Sequence, residues 1–190
     1  LADDGAWHLR LTHDQAVAAT ALWWPHTHGV PALHHLRVEA SGETVLDRRI
    51  GFSCVRARGE DGRFALVVNG VDVFVRGVVW AATDPRGWTS DPVEVARDLD
   101  ALAAAGLNLV RVPGTGTYAD AVLRELAAER GLLVWQDVML ATFDPPEDQA
   151  WLAELGAELR DQLGAWQGWP HLAVLCGGTE TEQQPTLMGL

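Results

Sequence analysis

Residues 91–112 read DPVEVARDLDALAAAGLNLVRV, and this stretch decides the fold class. Asp91 before Pro92 offers a side-chain acceptor at the N-cap, followed by a proline whose missing N–H would have had no helical partner in the first turn anyway. Val95, Leu99 and Leu102 then recur on one helical face, Gly106 is placed to end the helix, and residues 107–112 continue as an apolar strand. A helix feeding straight into a buried strand is half of a crossover unit, and the rhythm repeats on both sides of it. Upstream, residues 76–80 read as a buried strand. Downstream, a second helix is expected over about residues 118–130, with Val122, Leu123, Leu126 and Ala127 inward and Gly131 as its stop, before a strand over residues 132–138. A third helix carries Trp151, Leu155, Leu159 and Leu163 at every fourth position, and residues 171–176 give a fourth strand that ends in Gly177-Gly178.

Strands alternating with helices predict a parallel sheet. A complete eight-fold barrel takes roughly 250 residues, so four strands with three helices between them would make about half of one. A doubly wound open sheet also fits the periodicity. Its dinucleotide-binding form, however, wants a glycine-rich turn after the first strand, where this chain has Trp80-Ala81-Ala82-Thr83-Asp84.

Toward the N-terminus the period changes. Residues 7–11, 33–40 and 45–57 alternate apolar and polar positions as strands do, and Pro25, Gly29, Pro31 and Ser41-Gly42 punctuate them as turns, so antiparallel β-structure of the sandwich kind is expected, with too few strands to close a sandwich. Residues 58–63 are charged and glycine-rich and are the expected domain boundary. Residues 64–68 and 71–75 flank Asn69-Gly70 and read as a hairpin, because Asn-Gly supplies the positive φ angles of a tight turn.

Composition narrows the function classes. The 190 residues are 48% hydrophobic, enough to build a core, and 14 Lys+Arg against 26 Asp+Glu give a net charge of −12. Phosphate backbones and anionic membranes would be repelled, so neither nucleic acid nor a membrane is an expected partner. No apolar run approaches membrane-spanning length, and the first residues carry no charged segment leading into an apolar one. Cys54 and Cys176 stand in unrelated contexts and form neither a disulfide framework nor a zinc spacing, which leaves the compartment open. Nine tryptophans suit a core and a sugar-stacking platform equally well. His26, His28, His34 and His35 could suggest a metal, but His34 and His35 would point to opposite faces of a strand, and no metal site is expected.

Functional groups of parallel barrels gather at the C-terminal strand ends, here residues 80–84, 111–114, 135–137 and 176–180. Leu22-Trp23-Trp24-Pro25, Phe74-Val75-Arg76-Gly77, Arg111-Val112-Pro113-Gly114, Leu133-Val134-Trp135-Gln136-Asp137 and Leu175-Cys176-Gly177-Gly178-Thr179-Glu180 resemble, in that order, the signature of β-mannosidases and their relatives in glycoside hydrolase family 2. The resemblance favours the half-barrel. It implies the C-terminal part of an immunoglobulin-like β-sandwich over residues 1–62, then the N-terminal half of a (β/α)8 TIM barrel over residues 63–190. It further implies a retaining exo-β-glycosidase acting on terminal β-linked sugars such as β-mannosides, with a carbohydrate as partner and no cofactor.

By the same resemblance Glu180, directly after the fourth strand, is the general acid/base. Alone it would read as a solvated terminal carboxylate, as Glu182 does, and the strand-Gly-Gly context changes that reading. A second carboxylate roughly 5 Å away must act as nucleophile in a retaining mechanism, and the family carries it on a later strand, so the 190-residue chain alone is expected to be inactive. Arg111 is expected beneath the sugar, orienting the nucleophile, or else in a structural ion pair. Asp137 and Trp135 at the third strand mouth, and Trp80 and Asp84 at the first, are expected to shape the substrate site. Three positions depart from the family pattern. Val79 replaces an Asn, Pro113 replaces a sugar-contacting Trp, and Thr179 replaces the Asn that donates to the sugar 2-hydroxyl. Thr179 is shorter and has a single hydroxyl, so a family member that binds glycans without hydrolysing them is the alternative expectation. Oligomeric state stays open.

Overall fold

The computed structural model describes residues 20–60, 63–82, 84, 86, 87 and 90–181, so the strand expected at residues 7–11 and Glu182 lie outside the described residues. Strands β1 (His34–Ala40) and β2 (Glu43–Ile50) form an antiparallel pair. Ser41 (φ 54°) and Gly42 (φ 83°) turn between them, the left-handed pair that suits a two-residue hairpin. Strands β3 (Val55–Glu60), β4 (Arg63–Val68) and β5 (Val71–Val73) form a second antiparallel sheet, with Asn69 (φ 50°) and Gly70 (φ 85°) as the expected turn. The single run expected over residues 45–57 is two strands of different sheets. The break falls at Gly51, where an added Cβ would lie 2.4 Å from Pro170 Cγ and whose N–H donates to the Gly168 carbonyl at 2.9 Å. Arg58–Arg63 contains the paired ends of β3 and β4, and pairing changes from antiparallel to parallel later, between Val73 and Gly77.

The parallel sheet consists of β6 (Gly77–Val79), β7 (Leu109–Val112), β8 (Leu133–Asp137) and β9 (Leu172–Cys176), hydrogen-bonded in chain order with no reversal. Helices α1 (Pro92–Ala104), α2 (Ala121–Glu129) and α3 (Gln149–Trp166) occupy the crossovers. Asp91 accepts from the Val93 and Glu94 amides as the N-cap of α1, and Gly106 follows its end with φ 77°. Helix α2 begins three residues later than the periodicity suggests, because Asp120 caps it through the Leu123 amide and the Ala119 amide is taken by Gln136 Oε1 at 2.9 Å. Helix α3 buries Leu152, Leu155 and Trp166, while Leu163 is 45% exposed: its inward stripe drifts away from the fourfold spacing. Among the described residues no helix is long and apolar enough to cross a membrane.

Alternation along the strands divides the core. Val110, Val112 and Val134 face Val95, Leu99, Leu123 and Ala127 of the helices, whereas Leu109 and Leu133 face the other way and pack with Trp23, Val68 and Val73. Trp23 is the hinge of this second cluster. Its indole N–H donates to the Ala128 carbonyl at 2.8 Å, its backbone amide donates to Phe52, and its carbonyl accepts from Asn69 Nδ2 at 2.9 Å. Asn108, fully buried, accepts from the Arg76 amide and donates to the Phe74 carbonyl and to Thr27 Oγ1. The N-terminal edge of the parallel sheet is thus stitched to the antiparallel strands by satisfied polar groups.

Two side chains there are not fully satisfied: Arg124, whose Nε is buried without a partner among the described residues, and His171. His171 has 0% exposure, its ring lies among Trp166, Trp169 and Trp23 at centroid distances of 5.3, 5.9 and 5.9 Å, and neither ring nitrogen has a hydrogen-bond partner among the described residues. Burial pushes its pKa down to about 3, the nearby Arg124 backbone opposing the shift and the Arg124 charge adding to it. The folded state then stays unprotonated while the unfolded chain, titrating near 6.5, takes up the proton. Stability is therefore full above pH 6.5 and falls by roughly 1.4 kcal/mol per pH unit on acidification toward about pH 3. Urea titrations at pH 7 and pH 5 will show a shallower loss for His171→Leu than for the wild type, and equal slopes would refute the assignment. In the same assay Trp23→Phe, which removes the indole donor to the Ala128 carbonyl and part of the ring volume, will lower stability by about 1–2 kcal/mol at pH 7.

Candidate functional site

The C-terminal edge of the parallel sheet carries the polar cluster. The register sets Arg111 beside Val79 on one side and Trp135 on the other, and Asp137 beside Cys176. Arg111, Trp135 and Asp137 share the face turned away from the helices, since Gln136 between the last two points to α2 and accepts from the Ala119 amide. Asp137 has 0% exposure, and donors converge on its carboxylate. Trp135 Nε1 donates to Oδ1 at 2.7 Å, and Arg111 donates to Oδ2 through Nη2 at 2.6 Å and Nε at 3.1 Å. Thr179 Oγ1 donates to Oδ2 at 2.5 Å. The Arg111 guanidinium also lies over the Trp135 ring, 5.3 Å from its centroid.

Burying a carboxylate costs several kcal/mol, and only close, well-directed donors offset it. Here the counter-charge comes from β7, the indole from β8 itself and the hydroxyl from the segment after β9. Hydrogen bonding to Asp137 holds the Arg111 guanidinium above its ordinary pKa against the opposing effect of partial burial, so it is a permanent cation. Its side chain is 33% exposed, which leaves part of it facing the open end of the sheet.

Glu180 follows this cluster directly. Thr179 bridges to Ala141, donates its amide to the Leu140 carbonyl at 2.7 Å and accepts from the Thr142 amide at 2.9 Å. The chain then bends, so that Glu180 adopts φ 51° and is exposed, in a left-handed conformation that costs a non-glycine residue roughly 1 kcal/mol. Among the described residues no hydrogen bond or ion pair reaches its carboxylate.

The other expected site residues lie apart. Trp80 is 9% exposed and belongs to the helix-side core with Val95, Val112 and Leu123. It also lines a cavity of about 310 Å³ with Pro113, Thr117 and Tyr118. Asp84 is exposed and its carboxylate accepts the Arg86 amide at 2.9 Å. The four histidines have separate partners: His26 the Leu107 carbonyl, His28 Thr27, His34 the Ala21 carbonyl and His35 Asp47. The structure thus brings Arg111, Trp135, Asp137 and Thr179 together with Glu180 alongside, and leaves Trp80 and Asp84 outside the cluster. It adds Gly114, whose amide donates to Thr179 Oγ1 at 3.1 Å and where a Cβ would meet the Val138 carbonyl oxygen at 2.5 Å. The glycine after Arg-Val-Pro was the sequence signal for that close approach.

No family model matches the chain. Beta-mannosidase B of Aspergillus flavus is 27% identical over 182 residues, covering 92% of this chain and 22% of its own length. A probable beta-mannosidase of Caenorhabditis elegans is 28% identical over 172 residues, and the beta-mannosidase of Capra hircus is 28% identical over 181, covering 84% and 89% of the chain and 19% and 20% of their own lengths. The chain therefore spans about a fifth of the length of the curated relatives it matches. Among solved structures, the beta-D-mannosidase of Dictyoglomus thermophilum superposes with a TM-score of 0.76 at 25% identity, over 87% of this chain and 23% of its own. The family 2 beta-galacturonidase of Eisenbergiella tayi shares the fold with a TM-score of 0.73 at 18% identity, over 88% of this chain and 29% of its own. In sequence and in fold the chain is β-mannosidase-like, and it shares its fold with a glycoside hydrolase family 2 enzyme.

Proposed function

We propose that the chain is a segment of a retaining exo-β-glycosidase, and that the whole protein hydrolyses terminal β-mannosides or closely related β-glycosides. The observation that carries this reading is the cluster of Arg111, Trp135, Asp137 and Thr179 at the C-terminal edge of a parallel sheet, one residue before an exposed glutamate. On the architecture, the proposal is that residues 63–190 form the N-terminal half of a (β/α)8 barrel and residues 1–62 the C-terminal part of an immunoglobulin-like sandwich. Parallel strands that follow chain order without reversal support the first part, because a doubly wound sheet reverses at its switch point. Antiparallel pairing confined to the earlier strands supports the second.

In this mechanism Glu180 donates a proton to the glycosidic oxygen as the bond to the anomeric carbon breaks, while a carboxylate from outside these residues attacks that carbon. It then takes a proton from the water that releases the glycosyl intermediate. Arg111 contributes a fixed positive charge at the base of the site, where it orients a carboxylate and favours its ionised form. Asp137, sealed from solvent, holds Arg111 and Trp135 in place. No metal or organic cofactor enters the scheme. The alternative, a relative that binds glycans without cleaving them, draws on Pro113 and on the internal engagement of the Thr179 hydroxyl.

The deciding experiment is hydrolysis of a panel of aryl β-glycosides by the full-length protein, wild type against Glu180→Ala. The variant is expected to lose roughly 10²- to 10⁴-fold of the rate on a β-mannoside, with azide restoring turnover on an activated leaving group. A wild-type protein that binds a glycan and cleaves none of the panel establishes the binding alternative instead.

A further inference from the structure

We infer that Thr179 is a positioning residue whose hydroxyl clamps the loops after β7 and β8 around Asp137 and so sets where Glu180 is presented; its catalytic consequence rests on the glycosidase reading above, its geometry does not. A threonine hydroxyl has one proton and two lone pairs. The proton goes to Asp137 Oδ2 at 2.5 Å, one acceptor site takes the Gly114 amide at 3.1 Å, and Arg111 Nη2 stands 3.5 Å away. The donor capacity of Thr179 is therefore spent inside the protein, and none remains for a sugar hydroxyl.

The same residue joins three strand ends. Its side chain holds Gly114 after β7 and Asp137 at the end of β8, and its backbone pairs with Leu140 and Thr142 in the loop beyond β8. Gly114 is seated so closely that a Cβ would fall 2.5 Å from the Val138 carbonyl oxygen and 2.9 Å from that of Leu140. The same Cβ would fall 3.3 Å from Thr179 Oγ1, so the two carbonyls and the hydroxyl together line the seat that holds the β7 loop at Gly114. Glu180 has no side-chain bond of its own among the described residues, so what anchors it is its backbone, whose place is inherited from Thr179. Removing the hydroxyl takes a donor from Asp137, releases Gly114 and loosens Glu180 in a single step.

The test compares Thr179→Ala with Thr179→Ser in the full-length protein, a pair that differs only in the hydroxyl and adds no bulk. Thr179→Ala is expected to lower kcat on an aryl β-mannoside roughly ten- to a hundredfold with little change in KM, and Thr179→Ser to recover most of the loss. Hydrogen exchange read by mass spectrometry over residues 113–120 supplies a readout independent of catalysis: it should quicken about tenfold or more in Thr179→Ala and stay near wild type in Thr179→Ser. Unchanged exchange in Thr179→Ala, or a raised KM with kcat and exchange both unaltered, overturns the proposal and makes Thr179 a bystander or a sugar contact. Quickened exchange in a protein that cleaves no glycoside upholds the clamp while the glycosidase reading fails.

Discussion

A carboxylate that water does not reach organises the C-terminal edge of this molecule. Asp137 can remain there only if donors arrive from several directions at once, because an uncompensated buried charge would cost several kcal/mol, a large share of the free energy that separates folded from unfolded chains. The indole of Trp135 lies two residues away on the same strand and face. The guanidinium must come from β7 and the hydroxyl from beyond β9, which demands that β8 lie between them and that all three run parallel. Strand order, register and direction thus all converge on one side chain, and Arg111, clasped by the carboxylate and laid over an indole, has its orientation set before any ligand arrives.

The opposite edge of the sheet is built on another principle. There Trp23 reaches from the antiparallel region to the end of α2, His26 reaches the Leu107 carbonyl, and His26 also lies so close to Gly131 that a Cβ at that glycine would come within 2.5 Å of its backbone nitrogen. Rings and tight glycines fill this edge, and apart from His171 and the neighbouring Arg124 Nε the buried polar groups described there are paired. A sheet with a rigid, mostly apolar floor can hold polar, strained residues at its other end, since the free energy of folding comes from the floor and the helix-facing core. The left-handed backbone at Glu180 and Thr142 sits at the polar end, in the segments closest to the Asp137 cluster.

Much of this was legible from residue types. The start of α1 followed from Asp91-Pro92, the β4–β5 turn from Asn69-Gly70, and the parallel sheet from the strand and helix rhythm, because each depends on local conformational preference. Legibility failed where the outcome depends on which face a strand end shows. Trp80 stands at a strand mouth, and only the fold shows that its ring packs on the helix side, where it also lines the cavity beside Pro113. Asp137 reads as a side chain open to substrate, and its burial becomes visible only once Arg111 and Thr179, far from it in the chain, are brought alongside. Helix α2 starts later than its periodicity suggests because the partner that holds Ala119 outside the helix, Gln136, lies on a strand seventeen residues further on.

Trp135-Gln136-Asp137 shows why three consecutive residues can be so distinctive. In a strand with period two the outer pair faces one way and the middle residue the other, so this tripeptide serves both layers at once. Trp135 and Asp137 build the polar cluster on the open face, while Gln136 crosses to the helix face, accepts the Ala119 amide before α2, and donates back to the Asp137 carbonyl at 2.8 Å. A slip of one residue would put the carboxylate among Val95, Leu99 and Leu123 and leave the amide where the guanidinium waits. Neither layer tolerates that exchange: a charge without donors on one side and a cation without its partner on the other are both buried polar errors of several kcal/mol. The register of β8 is therefore held twice over by polar complementarity, and the position of Arg111 and the β7 loop beside it follows from that double constraint.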